Sequence, residues 1–112
     1  MAIECSKNGA KVVLSARRKE LLEQIKTKCI TAGLSKDDIL VLPLDICDFS
    51  THEPCFKLIL EKFGKLDILI NNAGRSQRGR WEHIDINVDM ELFNLNVFSV
   101  INLTRKDIIK CL

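Results

Sequence analysis

The 112-residue chain is 46% hydrophobic and 29% charged, the balance of a globular domain or part of one rather than of a disordered segment. Its formal net charge of +2, with basic residues in short separate groups, argues against a nucleic-acid binder. No apolar run approaches the roughly 20 residues that cross a bilayer, and Met1-Ala2-Ile3-Glu4-Cys5 lacks the basic-then-apolar form of a secretory signal.

In chain order, a short helix is expected first, closed by Gly9 as a C-terminal glycine. The β-branched run Val12-Val13-Leu14 predicts a strand over Lys11 to Ser15. Leu22, Ile25 and Cys29 then recur at helical spacing, and Gly33 ends that stretch. A second continuous apolar run, Ile39 to Leu42, predicts a strand closed by Pro43. Phe56, Ile59, Leu60 and Phe63 form the stripe of an amphipathic helix capped by Gly64. Ile68-Leu69-Ile70 predicts a third strand over Asp67 to Ile70, closed by Asn71-Asn72-Ala73-Gly74. From about Val88 to Leu112 the chain reads as helix, with Phe93, Val97, Val100 and Ile101 on one side.

Continuous apolar runs suit strands covered on both faces, as in parallel sheets. Their alternation with helices predicts an α/β fold: a doubly wound, Rossmann-like parallel sheet with right-handed crossovers. In that fold a first strand and a glycine-rich turn come before the opening helix, and neither stands ahead of it here. The expectation is therefore a partial sheet over residues 1–112, lacking the first strand and the C-terminal strands. The missing strand belongs between two of the strands that remain, so the sheet should either close across the gap or stay open there.

Cys5, Cys29, Cys47, Cys55 and Cys111 make an odd number with no C-x-x-C pair, which argues against a disulfide framework and against a zinc site. Small buried thiols in a reducing, intracellular compartment are expected instead. His52 and His83 have no metal-ligand neighbour at helical spacing, and both read as surface residues. No metal is expected.

The most specific local signal is Asp67-Ile68-Leu69-Ile70-Asn71-Asn72-Ala73-Gly74. A strand here delivers two amides and a glycine to its carboxyl end, where open α/β sheets bind ligands. Alanine and glycine let backbone approach a ligand closely, because neither has bulk beyond Cβ. Asn71 is expected to tie the turn to a neighbouring strand.

Asn71-Asn72-Ala73-Gly74 behind an apolar strand resembles the N-N-A-G motif of the short-chain dehydrogenase/reductase family. The resemblance continues upstream through Val12-Val13-Leu14-Ser15-Ala16-Arg17-Arg18 and Leu40-Val41-Leu42-Pro43-Leu44-Asp45, and downstream through Ser76-Gln77-Arg78 and Leu95-Asn96-Val97. Nearly the whole chain is covered. Within the family the chain is most similar to the branch called dehydrogenase/reductase family member seven, which shares similar S-A-R-R, I-L-V-L-P-L-D and S-Q-R stretches.

The resemblance implies an oxidoreductase using NADP(H). Arg17 is then the holder of the 2′-phosphate, with Arg18 lending a second positive charge. Asp45 accepts a hydrogen bond from the adenine amino group. Asn72, Ala73 and Gly74 line the adenosine ribose and the approach to the nicotinamide half. Asn96 takes the place of the asparagine in the family's Asn-Ser-Tyr-Lys tetrad, which organises a water in the proton relay. The residues themselves leave rivals open. Arg17-Arg18-Lys19 also suits the solvated start of a helix, Asp45 suits a cap for the turn near Asp48 to Ser50, and Asn96 suits a structural tie to an adjacent helix.

Two of the family's parts do not occur in the sequence: the T-G-x-x-x-G-x-G turn that cradles a pyrophosphate and the Y-x-x-x-K pair that donates the proton. The chain contains no tyrosine, so by itself it is expected to be inactive. For a parent enzyme the resemblance implies a lipophilic carbonyl or alcohol as substrate, subunit pairing through the helix near 88–112, and the endoplasmic reticulum membrane, with no anchor in this segment. The alternative reading is a non-catalytic nucleotide-binding or subunit-pairing module. A flavodoxin-like or receiver domain is disfavoured, since each needs its own first strand and acidic or phosphate-binding turn.

Overall fold

The computed structural model describes residues 1–111, with side chains placed as far as residue 107. The described elements are α1 (Ala2–Lys7), β1 (Val12–Ala16), α2 (Lys19–Thr31), β2 (Ile39–Pro43), α3 (His52–Phe63), α4 (Ile86–Phe93) and α5 (Ser99–Cys111). Single 3₁₀ turns occur at Lys36–Asp38, Phe49–Thr51 and Trp81–His83, and a π-helical turn, Asn94–Phe98, joins α4 to α5. The chain divides into two compact units, Met1–Asp45 and the remainder from Ile46 onward.

In the first unit β1 and β2 run parallel, with Val12 opposite Ile39 and Ala16 opposite Pro43. The Leu44 N–H extends the ladder by donating to the Ala16 carbonyl at 2.9 Å. Side chains alternate across a strand, so Val12 and Leu14 share a face with Ile39 and Val41. On that face they meet Ala2 and Ile3 of α1, Leu22, Ile25 and Cys29 of α2, and Leu34. Burial of each enclosed Leu or Ile contributes roughly 1.5–3 kcal/mol. The helix periods expected from Leu22, Ile25 and Cys29 are thus those of the core-facing stripe.

Glycine closes both helices of this unit by the same device. At the end of α2, the Gly33 N–H bonds the Ile30 carbonyl at 3.0 Å and the Leu34 N–H bonds the Cys29 carbonyl at 3.2 Å, a Schellman arrangement that needs a left-handed residue at Gly33, where φ is 114°. The motif turns the chain back so that Leu34 lies in the core with Cys29. Gly9 repeats the pattern behind α1, with φ 80°.

The second unit is built on α3 against α5, with Phe56, Ile59 and Leu103 buried. Gly64 ends α3 in the left-handed region. The long helix expected from about Val88 is present and widens locally: α4 begins at Ile86 behind an Asp85 cap that accepts from the Asn87 N–H at 2.8 Å, and the π turn carries it into α5. Its expected end at Leu112 lies outside the described residues, as does the side chain of Cys111.

Three expectations are corrected. Asp67 to Ile70 is not a strand: residues 65–78 carry no regular secondary structure, and the described sheet has two strands, β1 and β2. An apolar run becomes a strand only where a neighbouring backbone takes up its N–H and C=O groups; without a ladder, Ile68 is 75% exposed and Ile70 52%. His52 is not a surface residue but is fully buried. Its Nε2–H donates to the Ile46 carbonyl at 2.7 Å and its Nδ1 accepts from Asn102 Nδ2 at 2.8 Å, so both ring nitrogens have a partner. His83 is exposed, as expected. The thiols are not uniformly buried either: Cys29 is enclosed, Cys5 and Cys55 are half-buried and Cys47 is exposed. Burial pushes the Cys55 thiol above its usual range.

Candidate functional site

The expected site residues fall into two clusters, one in each unit. The first stands at the carboxyl end of the strand pair. Ala16 and Pro43 are the last residues in register, so Arg17 leaves β1 and Asp45 leaves β2 at the same end of the sheet. Arg17 and Arg18 are both exposed, and Arg18 is the N-cap residue of α2 without a side-chain capping bond. Between Leu14 and Arg18 there is no carboxylate. Asp45 is exposed, and the cap of the following turn is Asp48, which accepts from the Ser50 N–H at 3.3 Å and from Ser50 Oγ at 2.6 Å.

The second cluster gathers Asn71 to Arg75 around Asn96. The Asn96 carboxamide meets the backbone of Arg75 with both of its polar ends: Oδ1 accepts from the Arg75 N–H at 3.0 Å, and Nδ2 donates to the Arg75 carbonyl at 2.7 Å. Asn96 is half-buried, and this two-point bond satisfies the amide that the apolar sequence around it would otherwise strand. The tie is to the turn, not to another helix. Gly74 fits the same contact, since a Cβ there would stand 3.3 Å from Asn96 Oδ1. A side chain at this position would require the Asn96 carboxamide to give by a few tenths of an ångström. Asn96 lies within the π turn Asn94–Phe98, a local widening of the helix often found where a helix serves a site.

Asn71 does not reach a strand; its Nδ2 donates to Thr104 Oγ1 on α5 at 3.2 Å. The Arg75 guanidinium pairs with Glu91 on α4 at 3.2 Å, both half or more exposed. Thr104, Glu91 and the Arg75 backbone escaped the sequence reading, because none has a local pattern that marks it. His52 did have a signal: it stands four residues before Phe56, on the same apolar stripe of α3.

No group of three or more potential metal ligands occurs among the described residues, and no described helix is long and apolar enough to cross a membrane.

Residues 1–110 match the short chain dehydrogenase family. The chain is 48% identical over 106 residues to dehydrogenase/reductase SDR family member 7 of Mus musculus, covering 94% of this chain and 31% of that protein. It is 34% identical to the 3-ketodihydrosphingosine reductase of Bos taurus, covering 86% of this chain and 30% of that protein. The structure is similar to apo glucose dehydrogenase of Caenorhabditis elegans, with a TM-score of 0.81 and 35% identity over 95% of this chain and 41% of that one. The chain thus spans about a third of the length of the curated relatives it matches. With strand-end arginines, an Asn-Asn-Ala-Gly turn and an asparagine clasping it, and with these matches over nearly its whole length, the chain belongs to the short-chain dehydrogenase/reductase family of oxidoreductases.

Proposed function

We propose that this chain is the NADP(H)-reading segment of an oxidoreductase that interconverts a carbonyl and an alcohol on a lipophilic substrate. The observation that carries the cofactor choice is the end of β1: two exposed arginines and no carboxylate. NAD-preferring folds of this kind place an acidic residue there for the ribose 2′-hydroxyl, and that residue would repel a 2′-phosphate. A guanidinium holds the phosphate with paired, charge-assisted hydrogen bonds.

In this reading Arg17 binds the 2′-phosphate, Arg18 adds a second charge and Asp45 accepts from the adenine amino group. Asn72, Ala73 and Gly74 line the ribose and the path toward the nicotinamide. Bound NADPH would supply a hydride. Asn96 is the tetrad asparagine, and because its carboxamide is engaged with Arg75, it serves the proton relay through the turn it holds and its own main chain. The sequence contains no tyrosine, so its own residues provide no phenolic proton donor. The lipophilic substrate class is supported by the likeness to a 3-ketodihydrosphingosine reductase. Phe93, Val97 and Ile101, 53%, 37% and 46% exposed along one side of the α4–α5 helices, favour pairing with a second subunit.

The cofactor reading is tested by titrating the chain, followed by NMR, with adenosine 2′,5′-bisphosphate and with 5′-AMP, which differ only in the 2′-phosphate. A charge-assisted bond contributes about 1.5–3 kcal/mol, so the bisphosphate should bind roughly ten- to a hundredfold more tightly. Arg17→Ala should remove most of that preference and leave 5′-AMP binding unchanged. Equal losses for both ligands would mean that Arg17 supports the fold and does not read the phosphate.

A further inference from the structure

We propose that Thr104 is a positioning residue for the Asn71–Arg75 turn, pinning its leading end to the same helical segment that pins its trailing end through Asn96. What the turn does rests on the cofactor reading above; the pinning rests on geometry. Residues 65–78 carry no regular secondary structure, so no strand ladder fixes this backbone. Side chains fix it instead. Asn71 Nδ2 donates to Thr104 Oγ1 at 3.2 Å, and the Asn96 carboxamide clasps the Arg75 backbone at 3.0 and 2.7 Å.

An extended backbone from Asn71 to Arg75 would reach about 13 Å, enough to follow the roughly 12 Å that an α-helix rises over eight residues. The order of the two ties is reversed: the first residue of the turn meets the later helical residue, and the last meets the earlier one. The turn therefore runs antiparallel to the helix and is tied at both ends, with Asn72, Ala73 and Gly74 between the ties. The post is itself fixed, because Asn102, two residues before Thr104, donates to Nδ1 of the buried His52 at 2.8 Å. Asn71 Nδ2 can only donate, so its partner must be an acceptor. The threonine hydroxyl qualifies, and a valine of the same shape does not. With that tie removed, the leading end of the turn pivots about the Asn96 clasp, and Asn72 and Ala73 lose their fixed place.

The test is ¹⁵N NMR relaxation of the full 112-residue chain, read as backbone order parameters at Asn72 and Ala73, comparing Thr104→Val, Thr104→Ser, Asn71→Ala and the double variant Asn71→Ala with Thr104→Val. A rigid backbone has an order parameter of about 0.85 and a flexible one below about 0.6, so Thr104→Val should move Asn72 and Ala73 toward the flexible value, with the β1 and β2 amides unchanged. Serine should restore the rigid value. Asn71→Ala, which leaves the helix untouched, should give the same loss of order, and the double variant no more than either single one. Unchanged order parameters at Asn72 and Ala73 in both single variants, or an additive loss in the double, overturns the proposal. Adding NADPH to the unsubstituted chain separates the two claims. If the variants couple as expected but NADPH shifts none of the turn's amide resonances, the pinning stands and the cofactor reading falls.

Discussion

The two site clusters are held by different means. Arg17 and Asp45 emerge from a strand pair in full register, over a helix-covered core, so their backbone is set by repeated main-chain bonds. Asn71 to Arg75 is set by the Asn71 and Asn96 side chains and an exposed ion pair at Arg75. A ladder loses one bond of many when a residue changes, whereas a turn tied by side chains loses its position with a single substitution. The backbone geometry of the strand end should thus be robust to its surroundings, and the geometry of the turn should be sensitive to them.

The largest expected effect separates the units directly. His52→Ala removes two buried hydrogen bonds, orphans the Ile46 carbonyl and the Asn102 amide, and leaves a cavity, costing about 2–4 kcal/mol. Thermal melting checks the total. Residue-resolved exchange checks its place, which should be α3 and α5, with β1 and β2 keeping their protection. If protection falls equally in both units, they form one cooperative body and the comparison breaks. A smaller effect sharpens it from the other side. Gly33→Ala forces a Cβ into a backbone with φ 114° and should cost about 1–2 kcal/mol. The loss should appear at the end of α2 and along β1 and β2, and the Asn71–Arg75 turn should not change. A stability equal to that of the unsubstituted chain would show that the Schellman closure is not what sets Leu34 into the core.

What the sequence made legible follows the same division. α2 and α3 could be read because an apolar stripe at helical spacing and a closing glycine are local facts, and β1 and β2 because two continuous runs found each other. Arg17 and Asp45 were singled out by the family resemblance, and the two strands place both at one end of the sheet. The run Ile68-Leu69-Ile70 looks the same on paper, yet a strand also needs a partner backbone, and that is not a property of the run itself. His52 was misread because it was weighed as a lone titratable group and not as the first member of the stripe that includes Phe56 and Ile59. The Asn71 tie to Thr104 was out of reach for a further reason. It joins positions 33 residues apart, and neither residue type is unusual where it stands.

Hydrogen exchange of the full chain with and without saturating NADPH tests the central claim most directly. The account predicts slowed exchange in two places at once, Ser15 to Arg18 behind β1 and Asn71 to Arg75 on the clasped turn, and little change along α1 and the outer turns of α2. Slowing at neither place, at only one of them, or chiefly elsewhere in the chain would contradict it.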